Sequence, residues 1–191
     1  MTDWLRRAGH IRLEDGRDVI WSVAEGRRGR RWREAVRKPN QPGIRHSLLL
    51  EMNSDGWFSH LELSTEEGLL TLHPEGDGTL HGNAVTASGV RHVRGVAWDP
   101  HGMMLIDRSF VSTLAALPGL SSVIAPGTER EILVVQVPRD LELLSTREVV
   151  RRESRDREWW WIGELEQIGP DERGLMLGTG ARDWPLEADD D

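Results

Sequence analysis

IRHSLLLEMNSDGWFSHLELST, residues Ile44 to Thr65, decides the fold. From Ile44 to Asn53, one alternate face carries Ile44, His46, Leu48, Leu50 and Met52, and the other carries Arg45, Ser47, Leu49, Glu51 and Asn53. A period of two marks a strand with one buried face, because successive side chains of an extended chain point to opposite sides. Asn53-Ser54-Asp55-Gly56 then supplies turn chemistry, and Trp57, Leu61 and Leu63 alternate against His60, Glu62 and Ser64. The stretch predicts a β-hairpin.

Similar short segments follow at Leu69 to His73, Thr79 to Thr86, Val90 to Trp98 and Met103 to Asp107, divided by acid-Gly, Ser-Gly and Asp-Pro-His-Gly turns. Their even spacing predicts a meander. Ile11 to Leu13 and Asp18 to Ala24 flank Glu14-Asp15-Gly16-Arg17 as another hairpin at the front. Glu131 to Val137, Leu141 to Val150 and Glu158 to Ile168 are partly apolar on both faces, which predicts central positions in a sheet. One segment reads as a helix, Phe110 to Leu117, with Ser109 as N-cap and Pro118-Gly119 as its stop. The fold class is therefore mainly β: an antiparallel roll or open barrel-like sheet with at most one or two short helices. Residues 1–178 read as one β domain, and 179–191 as an acidic, partly disordered tail.

The chain has 191 residues, a formal net charge of -8, no Cys, nine Trp, two Phe and no Tyr. Without Cys there are no disulfides, thiolate metal sites or Cys nucleophiles. The negative balance disfavours nonspecific nucleic-acid binding, which rests on phosphate neutralisation. Against it stands Arg27 to Lys38, with seven basic side chains and one acid, Glu34. That strip reads either as a solvated basic strand or loop, or as a grip for an anionic group beside Trp32. No stretch approaches the roughly 20 apolar residues of a membrane-spanning helix, and Met1 to His10 lack a secretory apolar core, so a cytoplasmic location is expected.

Catalytic signatures are sparse. There is no nucleophile elbow, phosphate-cradling loop or dinucleotide fingerprint, and His73, His81, His92 and His101 show no ligand spacing, so no metal and no cofactor is expected. Asp99, His101 and Asp107 are the acid and base candidates for a hydrolase or isomerase, with turn-forming roles as the plain alternative. Val90 to Trp98 mixes His92 and Arg94 with apolar residues, which suits a cavity wall or an edge strand equally.

The stretch from Ile44 to about Val150 resembles a bacterial family of glycolipid-binding, spiral β-roll proteins. The resemblance is carried, in order, by Leu48-Leu49-Leu50 leading to Trp57, by Gly76-Asp77-Gly78 with Leu80-His81-Gly82-Asn83, by Asp107-Arg108-Ser109-Phe110-Val111-Ser112-Thr113-Leu114 with Leu117-Pro118, and by Gly127 to Val137 with Pro138 to Leu143. The family's Pro-x-Thr-Asn stretch and following Arg pair are absent here. The resemblance implies a spiral β-roll and noncatalytic binding of a glycolipid or other amphiphile in its interior. In that reading Trp32, Trp57, Trp98 and Trp159 form the wall, while Arg94, Asp107 and Ser109 orient the ligand's polar end. The alternative is a protein-interaction or regulatory module using the Arg strip and Trp159-Trp160-Trp161. Adjacent strand residues face opposite ways, so an exposed Trp160 among apolar neighbours would mark a homodimer or partner surface.

Overall fold

Eight strands follow one another as a meander: β1 (Arg6–Arg12), β2 (Asp18–Gly26), β3 (Gly29–Arg37), β4 (His46–Met52), β5 (Phe58–Thr65), β6 (Gly68–Pro74), β7 (Thr79–Thr86) and β8 (Gly89–Ala97). After them come β9 (Met103–Ile106), α1 (Val111–Val123), β10 (Thr128–Val137), β11 (Leu144–Ser154), β12 (Glu158–Ile162), β13 (Leu165–Ile168) and β14 (Ala181–Pro185). The computed structural model describes residues 6–13, 16–38, 43–107, 109, 111–154, 158–163, 165–168 and 181–185. The chain is mainly β. A nine-stranded antiparallel sheet runs β14-β1-β2-β3-β4-β5-β6-β7-β8, and a five-stranded sheet runs β13-β12-β11-β10-β9. Within the expected tail, Ala181–Pro185 thus form an edge strand against β1, and 179–180 and 186–191 lie outside the described residues.

Alternation sets the inner face of the long sheet. Trp21, Trp32, Leu48, Leu50, Leu61, Leu63, Leu70, Leu72 and Leu80 are all buried there, against the second sheet and α1, in one continuous core. Burial of this apolar surface is the main stabilising term. Ile44 lies ahead of β4 and is 54% exposed, so it does not extend that face. In β5 it is Phe58, not Trp57, that joins Leu61 and Leu63 inside. The cause is a bulge: Met52 pairs with Phe58 but Glu51 with His60, so Ser59 is an extra residue, and its Oγ donates to Glu51 O at 3.0 Å.

β8 is the other edge. Its sequence mixture belongs to an edge strand, since Val93 is its one fully buried residue. Between the Leu80–Val96 and Gly82–Val93 pairs a bulge places Gly95 at φ +70°, which kinks an edge already carrying Arg91 and Arg94. Kinks and charges of this kind discourage edge-to-edge pairing.

The three segments expected at the centre of one sheet form a sheet of their own, in which the last splits at Gly163 into β12 and β13. Trp160 is fully buried, and Trp159 and Trp161, on the other face, are half-buried. β9, α1 and β10 make a βαβ unit, with β9 and β10 parallel. The helix passes through Pro118 and reaches Val123 instead of stopping at Leu117. Residues around its whole circumference are buried, so packing outweighs the hydrogen bond that proline forfeits. Its last turns are tied by Arg152 Nη1, which donates to Ser121 O at 3.1 Å and Ile124 O at 2.9 Å.

Candidate functional site

A cleft of about 100 Å³ opens where one end of the long sheet meets the carboxyl ends of β9 and β10. Its apolar lining is Val36, Leu63, Ile106, Val137 and Pro138. Ile106 and Val137 are the last residues of the two parallel strands, held together as Asp107 N–H donates to Val137 O at 2.9 Å. The ends of parallel strands beside a helix N-terminus are a common ligand position, because side chains and backbone dipoles converge there without filling the space.

The floor comes from the long sheet. Val36, His46 and Thr65 are direct cross-strand neighbours on β3, β4 and β5, and all three line the cleft. One row deeper lies Glu34, whose side chain is completely buried. Its Oε2 accepts the Val111 N–H at 3.0 Å, a cap on an otherwise open donor in the first turn of α1, where the helix dipole favours negative charge. Its Oε1 faces His46 Nε2 at 3.1 Å in a bent contact. Glu34 therefore joins β3, β4 and α1 through one carboxylate.

The rim carries both signs of charge. Arg17, Lys38, Arg45 and Arg139 are the cations and Glu66, Glu67 and Asp107 the acids. Arg45 pairs with Glu66, and Arg139 Nε lies 3.2 Å from Asp107 Oδ2. Four cations against three acids leave the mouth close to charge balance.

The residues singled out in the sequence are dispersed. Asp107 lies on the rim, and Ser109 caps α1 beside it, accepting the Ser112 N–H at 3.1 Å. Trp32 is fully buried in the core. Trp98 is buried at the far end, edge-on to Phe58 at 5.2 Å. Trp57 packs edge-on to His101 at 4.8 Å. Trp159 is half-buried on β12, and Arg94 is exposed on the β8 edge. Asp99 and His101 sit on the β8–β9 turn, their side chains about half exposed, and Asp99 accepts the His101 N–H; neither lines the cleft. Arg108 and Phe110 lie outside the described residues.

The Arg strip is strand β3. Trp32, Glu34 and Val36 point inward, while outward Arg31 pairs with Glu51 at 2.6 Å; Arg30 pairs with Glu25 at 3.1 Å. Among the histidines, His73 and His81 are cross-strand neighbours that both approach Glu75, but no group of three or more ligands is placed to hold a metal ion among the described residues. Also among the described residues, no helix is long and apolar enough to cross a membrane. The sequence shows Glu34 only as the one acid of the Arg strip and His46 only as a member of the Ile44 to Met52 face; their meeting is not readable there because the β3–β4 register alone brings them together. No family model matches the chain, and no curated protein or solved structure matches it.

Proposed function

We propose that this protein holds an amphiphile without transforming it, gripping a polyhydroxylated head of the glycolipid kind in the cleft between the two sheets. The observation that carries the reading is the pairing of an apolar lining, Val36, Leu63, Ile106, Val137 and Pro138, with a rim that carries four cations and three acids. A hydroxyl both donates and accepts hydrogen bonds, so it is served by guanidinium N–H groups and carboxylates together. A strongly anionic ligand would favour a large excess of cations, whereas among the described residues this rim has an excess of one. At about 100 Å³ the cleft suits a headgroup or a short run of chain, well below the roughly 300–1,000 Å³ typical of pockets for drug-sized ligands. The interior favoured by the sequence reading is occupied by α1 and the packed core, so the grip lies at the mouth. The resemblance to glycolipid-binding β-rolls points the same way.

Native mass spectrometry of freshly purified protein tests this reading. A bound species of amphiphile mass, released by Leu63→Trp, is the expected result. Consistently empty protein that also takes up no octyl β-D-glucoside would count heavily against it.

A partner-binding role has one observation in its favour. Leu69, Val85 and Val90 are directly opposite one another across β6, β7 and β8, and are 42%, 41% and 62% exposed. Sedimentation equilibrium separates the two ideas: an association abolished by Val85→Glu supports docking, and a monomer at all concentrations opposes self-association through this patch.

A further inference from the structure

We infer that Glu34 sets the hydrogen-bonding character of the cleft by fixing which nitrogen of His46 carries the proton, so that the neutral imidazole offers an acceptor to a ligand hydroxyl. The inference rests on the proposed binding role of the cleft for its ligand, but its chemistry can be read without any ligand.

Glu34 as a carboxylate can only accept. One oxygen is committed to the Val111 N–H and the other faces His46 Nε2. In neutral imidazole one nitrogen donates and the other accepts, and the partner of the first decides the role of the second. With Nε2–H turned to Glu34, Nδ1 presents its lone pair. Nε2 is inaccessible to solvent, whereas the side chain as a whole is 12% exposed and lines the cleft, so the accessible part of the ring lies away from Nε2. The two atoms lie 3.1 Å apart but are not aligned as a hydrogen bond, so the proton on Nε2 is the step that is inferred. Glu34 is thus a positioning residue, and His46 the group that would discriminate between ligands.

Two consequences follow. A neutral His46 favours a donor such as a sugar hydroxyl. Protonation turns Nδ1 into a donor and moves the preference to an anionic acceptor. The charged groups around the ring are Glu34 from β3, Arg45 from the start of β4, Glu66 and Glu67 from the β5–β6 turn, Arg17 and Lys38 from the flanking loops, and the Asp107–Arg139 pair of the second sheet.

Glu34→Gln is the discriminating variant. The Val111 N–H requires the amide oxygen, which leaves the amide NH2 facing His46 Nε2, and the ring must then carry its proton on Nδ1. Nitrogen-15 NMR of the His46 ring should report Nε2–H in the wild type and Nδ1–H in Glu34→Gln at pH 8. An Nδ1–H wild type, or the same tautomer in both, overturns the inference whatever binds. In titrations below their micellar concentrations, octyl β-D-glucoside should bind Glu34→Gln roughly two- to tenfold more weakly than wild type, the effect of one neutral hydrogen bond, and octyl sulfate more tightly. His46→Ala should remove the difference between the two probes that Glu34→Gln produces. Equal weakening of both probes in Glu34→Gln would reduce Glu34 to a structural role and overturn the inference. If neither probe binds the wild type while the tautomers are as stated, the binding reading fails and the tautomer assignment stands.

Discussion

At the scale of single residues, Glu34 has two separable duties, in the fold and in the cleft. Glu34→Ala removes the cap from Val111 and opens a void beside His46, and it should lower stability by about 1–3 kcal/mol. Urea unfolding measures this, and Glu34→Gln, which keeps the cap, should recover most of the loss. A surface contrast is Asp18, held below the usual carboxylate range first by the hydrogen bond from Arg12 and then by that from His10. A lowered pKa in the folded state contributes stability that is full above the unfolded value and is lost as pH falls through the folded one. Asp18→Asn should therefore flatten the acid limb of a stability curve by lowering stability slightly at neutral pH while leaving it unchanged at pH values below the folded-state pKa, a difference that urea unfolding at neutral and acid pH, followed by circular dichroism, can resolve. Asp18 was legible as a turn-proximal acid. The Glu34–His46 meeting was not, because a one-residue change of register would have turned either side chain to solvent.

At the scale of elements, the crossing of α1 over the β4–β5 turn depends on two glycines. Gly56 adopts φ +83°, and a Cβ on Gly119 would lie 2.5 Å from Gly56 O and 2.8 Å from the Trp57 ring. In an open helix Gly to Ala stabilises by about 1 kcal/mol. Here Gly119→Ala should instead destabilise by about 1–3 kcal/mol through overpacking, which thermal unfolding would show by the sign of the shift alone. At the other end of the helix, Arg152 lies over the Trp160 ring at 5.3 Å while bonding two helical carbonyls. Arg152→Ala should cost about 1.5–3 kcal/mol, read by urea unfolding, and Lys should rescue it poorly because it lacks the planar fork. Strand periodicity made most of these elements readable. It failed at Trp57–Phe58, where the Ser59 bulge breaks the alternation, and at Pro118, where burial on all sides carries the helix past a residue that would stop it in water.

At the scale of the molecule, the division into two sheets was hidden. Apart from Phe110 to Leu117, the segments read from Ile11 to Ile168 carry strand patterning, but the separation depends on the βαβ unit, whose parallel pair Met103–Ile106 and Thr128–Val137 is joined through a helix that runs past the stop its sequence signals. The cleft follows from that junction, since its lining comes from the end of the long sheet and from the ends of β9 and β10 together. Among the described residues, Trp21, Trp32, Trp98 and Trp160 are buried in the core, and Trp57, Trp159 and Trp161 are half-buried. The central claim is that this junction holds the head of an amphiphile. A titration of labelled protein with octyl β-D-glucoside below its micellar concentration, followed by amide shifts, tests it most directly. Saturable shifts concentrated at Val36, His46, Thr65, Ile106 and Val137 are the expected result, and non-saturating shifts, or shifts centred on Leu69, Val85 and Val90, would contradict it.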